Sequence, residues 1–240
     1  MNLISSSDHL KCNLYFTLDI DWAIEPVIDY ALSFFRENKI KCTVFCTHSS
    51  EILKNLESDL FEVAIHPNFN ESLIYGKGDS SQRILDKLLN IFPESKGVRS
   101  HSMTSSTKLL YQFKDLGLAY DSNIFFPYNW SISPFLCFSG ITRIPYNWED
   151  DVHFLYNKGF DYQINYNSDN FYVLDFHPIH IYLNSINRSH YHEAKKHYDD
   201  INMLKSYINS NQIGVRDFLD KLIKKIKINK TETGFLKDLL

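Results

Sequence analysis

The sequence predicts an α/β domain built on a parallel sheet or barrel. Strand-like and helix-like stretches alternate along most of the chain, and no change of composition marks a linker. Nearly every strand-like stretch also ends in titratable side chains. In order these are Asp19 and Asp21, His48, His66, Arg99 with His101, Asp121, the group Glu149, Asp150 and Asp151, and finally His177 with His180. Parallel α/β folds gather the carboxyl ends of their strands on one face, and sites form there. Random surface polarity would scatter such groups over both strand ends, so the pattern points to an enzyme.

Each element has its own warrant. Residues 11–18 run apolar into Asp19-Ile20-Asp21, and alternation along a strand leans both carboxylates to one side. Two like charges that close call for a cation, an Arg or a shared proton. Glu25–Asn38 has apolar residues at helical spacing, with Pro26 in the first turn. Residues 41–47 (KCTVFCT) predict a second strand, residues 49–56 a short helix and Phe61–Ile65 a third strand. Residues 66–78, with Pro67, Gly76 and Gly78, read as a loop. Residues 80–92 form a helix with Leu85, Leu88, Leu89 and Phe92 on one side. Residues 97–99 are a strand, and 105–116 a helix closed by Gly117. Strands follow at 118–121, 140–145 and 171–176 (FYVLDF), then helices at 190–208 and 215–228. Residues 1–240 are expected to form one domain, with the motif-bearing part at 12–184 and C-terminal helices within 190–228.

Composition narrows the partners. With a net charge of −4 and no long basic run before residue 221, nucleic acid is not implied. The basic stretch 221–230 (KLIKKIKINK) reads as the exposed face of the last helix, with a weak membrane-surface contact as the alternative. The N-terminal MNLISSSDHLK lacks an apolar leader core, and no stretch is long and apolar enough to span a bilayer, so a cytoplasmic location is expected. Cys12, Cys42 and Cys46 lie in apolar strand-like runs and Cys137 stands apart; no second Cys pair has zinc-ligand spacing. Reduced, structural cysteines are expected.

His and carboxylate side chains suit Zn²⁺ and similar divalent ions, and a catalytic site needs about three protein ligands plus an open position. Asp21 and His66 are the leading ligands, with a third from Asn70, His101 or His180. The water such an ion activates needs a base, a task for Asp19, which Arg99 would keep ionised and oriented. His177 is placed to donate a proton to the leaving group. Trp22 and Trp148 could stack on a sugar, with His101 and His180 beside them.

FTLDIDWA, AIHPNFN, GVRSHSM, RIPYNWEDD and VLDFHPIH occur in the order of the motifs of polysaccharide deacetylases, the NodB-homology group of carbohydrate esterases. The set most resembles the WbmS-like branch encoded in O-antigen clusters. The resemblance implies a distorted parallel (β/α) barrel of about seven strands and a metal-dependent N-deacetylase acting on an amino sugar. It implies Asp19 as base, Asp21 and His66 as metal ligands and Arg99 as the partner of the base. It also implies Asp150 with Asp151 as the acidic group of the fourth motif, and His177 as general acid. Asn70 stands where the family carries its second metal His, and an amide oxygen is a poorer zinc ligand than imidazole. Zn²⁺ is the expected ion. Its third ligand is Asn70 itself, or His101 or His180 in its place. The expected substrate is a nucleotide- or lipid-linked amino sugar of surface-polysaccharide synthesis. Hydrolysis of another amide, and a metal-free carbohydrate-binding protein, are the competing expectations.

Overall fold

The computed structural model describes residues 13–156, 158–164, 166 and 169–240. The chain runs through β1 (Leu14–Asp19), α1 (Glu25–Asn38), β2 (Cys42–Cys46), α2 (Glu51–Lys54), β3 (Phe61–Ile65), α3 (Asn70–Tyr75) and α4 (Ser81–Ile91). It continues as β4 (Gly97–Val98), α5 (Thr107–Asp115), β5 (Tyr120–Asp121), β6 (Phe135–Leu136), β7 (Thr142–Arg143), β8 (Trp148–Glu149) and α6 (Asp150–His153). The last elements are β9 (Tyr172–Phe176), α7 (Pro178–Leu183), α8 (Arg188–Lys195), α9 (Ile201–Ser206), α10 (Val215–Asn229) and β10 (Thr233–Gly234). The strands form one sheet ordered β6-β7-β5-β4-β3-β2-β1-β9-β8, with β10 against the start of β1. Every pair is parallel except the hairpin β6–β7. The sheet curls into a half-barrel with helices packed on it.

Alternation along the strands divides the core in two. Leu14, Phe16 and Leu18 of β1, Cys42, Val44 and Cys46 of β2, and Tyr172, Leu174 and Phe176 of β9 join the cluster under the helices. There α1 contributes Val27, Ile28, Ala31, Leu32 and Phe35. The opposite parity fills the inside of the curl with Tyr15, Phe45, Ala64, Tyr120, Tyr146 and Val173. Continuing up the same inward faces come Thr17 and Asp19 from β1, His66 after β3, and Asp175 of β9 with His177 after it. The inside of the curl therefore turns from apolar to ionisable toward the carboxyl ends of the strands.

Helix ends are fixed locally. Ser80 and Ser106 accept hydrogen bonds from Arg83 N and Leu109 N as N-caps of α4 and α5, and Lys39 closes α1 in the left-handed conformation. Gly97 has no room for a side chain, since a Cβ there would lie 2.0 Å from the Tyr120 ring. That close approach lets Tyr120 reach across and donate to Glu62 Oε1 at 2.8 Å.

All seven expected strands are present, and the three further ones, β6, β8 and β10, have two residues each. The expected loop 66–78 contains α3, the stretch 190–208 is two helices, and α7 follows β9 directly. Cys42 and Cys46 are buried free thiols and Cys137 is also free, while Cys12 lies outside the described residues. Among the described residues no helix is long and apolar enough to cross a membrane.

Candidate active site

The turn after β1 sets the first part of the site. Asp21 adopts φ +50°, a left-handed conformation that Asp tolerates better than most residues but that costs of order 1–3 kcal/mol. The turn is tied by Ala23 N to Ile20 O (3.0 Å) and by the Thr47 hydroxyl to the Asp21 carbonyl. It points the Asp21 carboxylate at two imidazoles. Asp21 Oδ1 lies 3.2 Å from His66 Nε2 and 3.0 Å from His101 Nδ1. His66 extends the inward face of β3. His101 is turned back toward the site by Ser102 and Met103, both left-handed, and by its own N–H donating to Pro67 O.

This trio suits a divalent ion. One carboxylate and two imidazoles are the donor set of catalytic zinc sites, and their ligand atoms lie within 4.8 Å of one another. A tetrahedral ion with bonds of about 2.0–2.1 Å spaces its ligands by roughly 3.3 Å, close to the two separations above. Burial pushes the Asp21 carboxyl up, yet the hydrogen bonds from His101 and His66 hold it well below the usual carboxylate range. His66 Nδ1 is buried without a hydrogen-bond partner among the described residues, with Asp19 Oδ2 3.7 Å away.

Beside the trio lies a buried ion cluster. Arg99 is 1% exposed and sandwiched between the rings of Phe45 and Tyr146, 4.4 and 4.3 Å from their centroids. Its Nε and Nη2 donate to the Ser122 carbonyl (3.2 Å) and hydroxyl (3.0 Å). Its Nη1 donates to Asp19 Oδ1 (2.9 Å) and to Asp175 Oδ1, with the Thr17 oxygen also 2.9 Å away. Burial pushes Asp175 up to about 8, Arg99 opposing and Asp19 adding to the rise.

The third part comes from β8, β9 and α6. Asp150 accepts from the His177 backbone N–H at 2.8 Å, and its Oδ1 lies 2.7 Å from His177 Nδ1. Burial disfavours the imidazolium of His177, but Asp150 overrides it and raises the group well above its ordinary value. His177 Nε2 is thereby turned to Asp21, with Oδ2 3.8 Å away. Next to this pair, burial raises Glu149 well above its ordinary value, aided by the neighbouring charges of Asp151 and Asp175.

Asp19, Asp21, His66, Arg99, His101, Asp150 and His177 thus share one end of the half-barrel. Other residues named from the sequence lie differently. Asn70 is outside the trio, its amide donating to the Ser102 hydroxyl (3.3 Å) and accepting from Thr104 (3.4 Å). Trp148 has outward parity and is 1% exposed, stacked on Phe218 with its N–H donating to His153. A sugar cannot reach that ring, so its expected stacking role is dropped. Trp22 is half-buried, stacked on Tyr191 with Lys195 above the pair. His180 is buried between Phe154 and Tyr191, with Nδ1 3.0 Å from the Ser185 hydroxyl. Asp121 is engaged by Arg143 and lies outside the constellation. Asp175 and Thr17 escaped the sequence reading because both sit inside buried strands. The available signal was parity, since Asp175 is two residues before His177 and on its face.

Two motif pairs, Asp19 with Arg99 and Asp150 with His177, stand around a metal-competent trio, and residues 16–195 match the WbmS-like polysaccharide deacetylase family. The chain belongs to that family. A solved structure from Bordetella bronchiseptica, described as a polysaccharide deacetylase involved in O-antigen biosynthesis, is 35% identical. The match covers 88% of this chain and 90% of that one, with a TM-score of 0.82. A deacetylase structure from Mycobacterium smegmatis (13% identity, 97% and 96% covered, TM-score 0.51) shares the fold. So does a peptidoglycan N-acetylglucosamine deacetylase (13% identity, 97% and 89% covered, TM-score 0.55). No curated protein matches the chain. The family makes the chain a carbohydrate deacetylase.

Proposed function

We propose that this enzyme is a metal-dependent hydrolase that removes an N-acyl group, most simply acetyl, from an amino sugar of surface-polysaccharide synthesis. The observation that carries the reading is the Asp21–His66–His101 trio flanked by a buried base pair and a buried acid pair. Asp21, His66 and His101 would hold the ion, which when bound polarises the acyl carbonyl and acidifies the attacking water. Asp19 takes a proton from that water as its oxygen bonds to the acyl carbon. Arg99 orients Asp19 through the Nη1 hydrogen bond. His177 gives its Nε2 proton to the sugar nitrogen as the C–N bond breaks, leaving a carboxylic acid and a free amine. Asp150 keeps His177 protonated until that step and fixes Nδ1, so that Nε2 faces the site.

His101 would supply the imidazole that Asn70 does not, which speaks against the metal-free alternative. A cytoplasmic, nucleotide- or lipid-linked sugar remains the proposed substrate class. The test is acetate release from a panel of N-acetylated nucleotide sugars and lipid-linked sugars, run with metal analysis of protein purified without chelator. Turnover of one class with about one bound ion supports the reading. A metal-free protein that releases no acetate overturns it.

A further inference from the structure

We propose that Asp175 is a positioning residue of this site, which holds the Arg99 guanidinium in place beneath Asp19 and thereby fixes the catalytic base. The inference rests on the deacetylase reading above. It starts from register. Thr17 of β1 pairs with Asp175 of β9, so the next inward-facing residues up the two strands are Asp19 and His177. Asp175 therefore lies one step below the base and the acid, in the floor of the site, where it is 0% exposed.

Arg99 spans the two levels. The aromatic rings cover both faces of its guanidinium, and Ser122 takes the Nε and Nη2 protons along one edge. The two protons on Nη1 face the carboxyl groups of Asp19 and Asp175, with the Thr17 oxygen beside them. Thr17 donates its own hydroxyl proton to Asp175 Oδ1, which fixes that carboxylate in turn. One buried cation is thus shared between the base and a second carboxyl group. Without Asp175 that side of Nη1 keeps only the neutral Thr17 oxygen, 2.9 Å away, and the guanidinium is drawn further onto the remaining carboxylate, Asp19, which would pull the base off its line. A second observation argues against mere packing. Asp175 Oδ2 is buried without a hydrogen-bond partner among the described residues, a cost that an apolar residue at this strand position would avoid.

The test is a double-mutant cycle on the full-length, metal-loaded protein. Asp175→Ala should lower kcat for acetate release by about 10-fold or more with KM changed less than about 3-fold, the signature of a loss confined to the transition state. Asp175→Asn, whose amide oxygen still accepts from Nη1, should recover most of that loss. In an Arg99→Ala background Asp175→Ala should change kcat less than about 2-fold, because a residue acting through Arg99 has nothing left to act on. Thr17→Val, which removes the hydroxyl that orients Asp175, should give a smaller loss with the same dependence on Arg99, and it serves if Asp175→Ala does not fold. An unchanged kcat in Asp175→Ala, or an equal loss with and without Arg99, overturns the proposal. A readout free of turnover separates the two levels of inference. The Arg99 Nε–H, identified in ¹⁵N spectra by its loss in Arg99→Ala, should exchange slowly in wild type and in Asp175→Asn, and quickly in Asp175→Ala. If no panel sugar releases acetate, the deacetylase reading fails, and this exchange rate still decides whether Asp175 holds the guanidinium.

Discussion

A base that works on an activated water must be oriented, shielded and free of the metal, and Asp19, the proposed base, is 5% exposed with Arg99 on one oxygen. Asp19→Asn keeps the shape and removes the basicity. Acetate release should fall by roughly 10²–10⁴-fold while bound metal stays at the wild-type level by elemental analysis. His177, the proposed acid, has the complementary task and must be protonated to perform it. Its carboxylate partner raises it well above its ordinary value of 6.5, so the active form persists to the alkaline side of that pH. Asp150→Asn removes the negative charge and lets burial lower the group. The alkaline limb of the kcat–pH profile should therefore move to lower pH in that variant, and an unmoved limb would show that His177 is not the acid. For residues at strand ends, parity and order alone bring Asp19, His66, Arg99 and His177 to one place. They leave the third ligand open among Asn70, His101 and His180. That choice depends on two left-handed residues, Ser102 and Met103, which no side-chain preference announces.

Among elements, the strongest signals were the long ones. α1 and β9 declare themselves by periodicity, whereas α3 buries none of its residues and has no apolar stripe to read. It is set by local turns instead, with Asn68 accepting from Asn70 N and Gly76 ending it at φ +62°. β10 is likewise invisible in a two-residue stretch, yet it closes the amino end of the half-barrel. It pairs with β1, Leu236 behind it is 0% exposed, and Lys237 N and the Thr43 hydroxyl both donate to Glu62 Oε2. Glu62 thus joins β2, β3, β5 and the C-terminal segment. Glu62→Ala would leave the Tyr120 and Thr43 hydroxyls and the Lys237 N–H without their acceptor, and it should cost about 3 kcal/mol in urea unfolding. Burial also pushes the Glu62 carboxyl up from 4.5, against the donors that face it. A carboxyl raised on folding binds its proton more tightly in the native state. The stability this adds is full below the unfolded value, near 4.5, and is lost as pH rises through the folded value. Glu62→Gln does not titrate, so the stability of wild type relative to this variant should fall as pH rises above about 4.5 and then level off.

For the whole molecule, the decisive fact is where the three candidate ligands come from. Asp21 follows β1, His66 follows β3 and His101 follows β4, so an ion held by all three would join separate strands of the sheet. Binding confined to the folded state stabilises by mass action, about 2.7 kcal/mol at a free ion concentration one hundred times Kd. Added Zn²⁺ should therefore raise the thermal midpoint of the chelated protein, and EDTA should reverse the shift and abolish acetate release. The variants divide by geometry. Asp21→Ala removes the carboxylate that both imidazoles face, so it should lose the bound ion, and with it the Zn²⁺-dependent rise, while the apo protein still folds. His101→Ala should do the same. Asn70→Ala should keep both the ion and the shift, because the Asn70 amide is spent on Ser102 and Thr104. Calorimetry and elemental analysis on the four proteins read the same quantity in two ways. If Asn70→Ala loses the ion and His101→Ala retains it, the third ligand is the one the family pattern places at Asn70, and the trio read from the geometry is wrong.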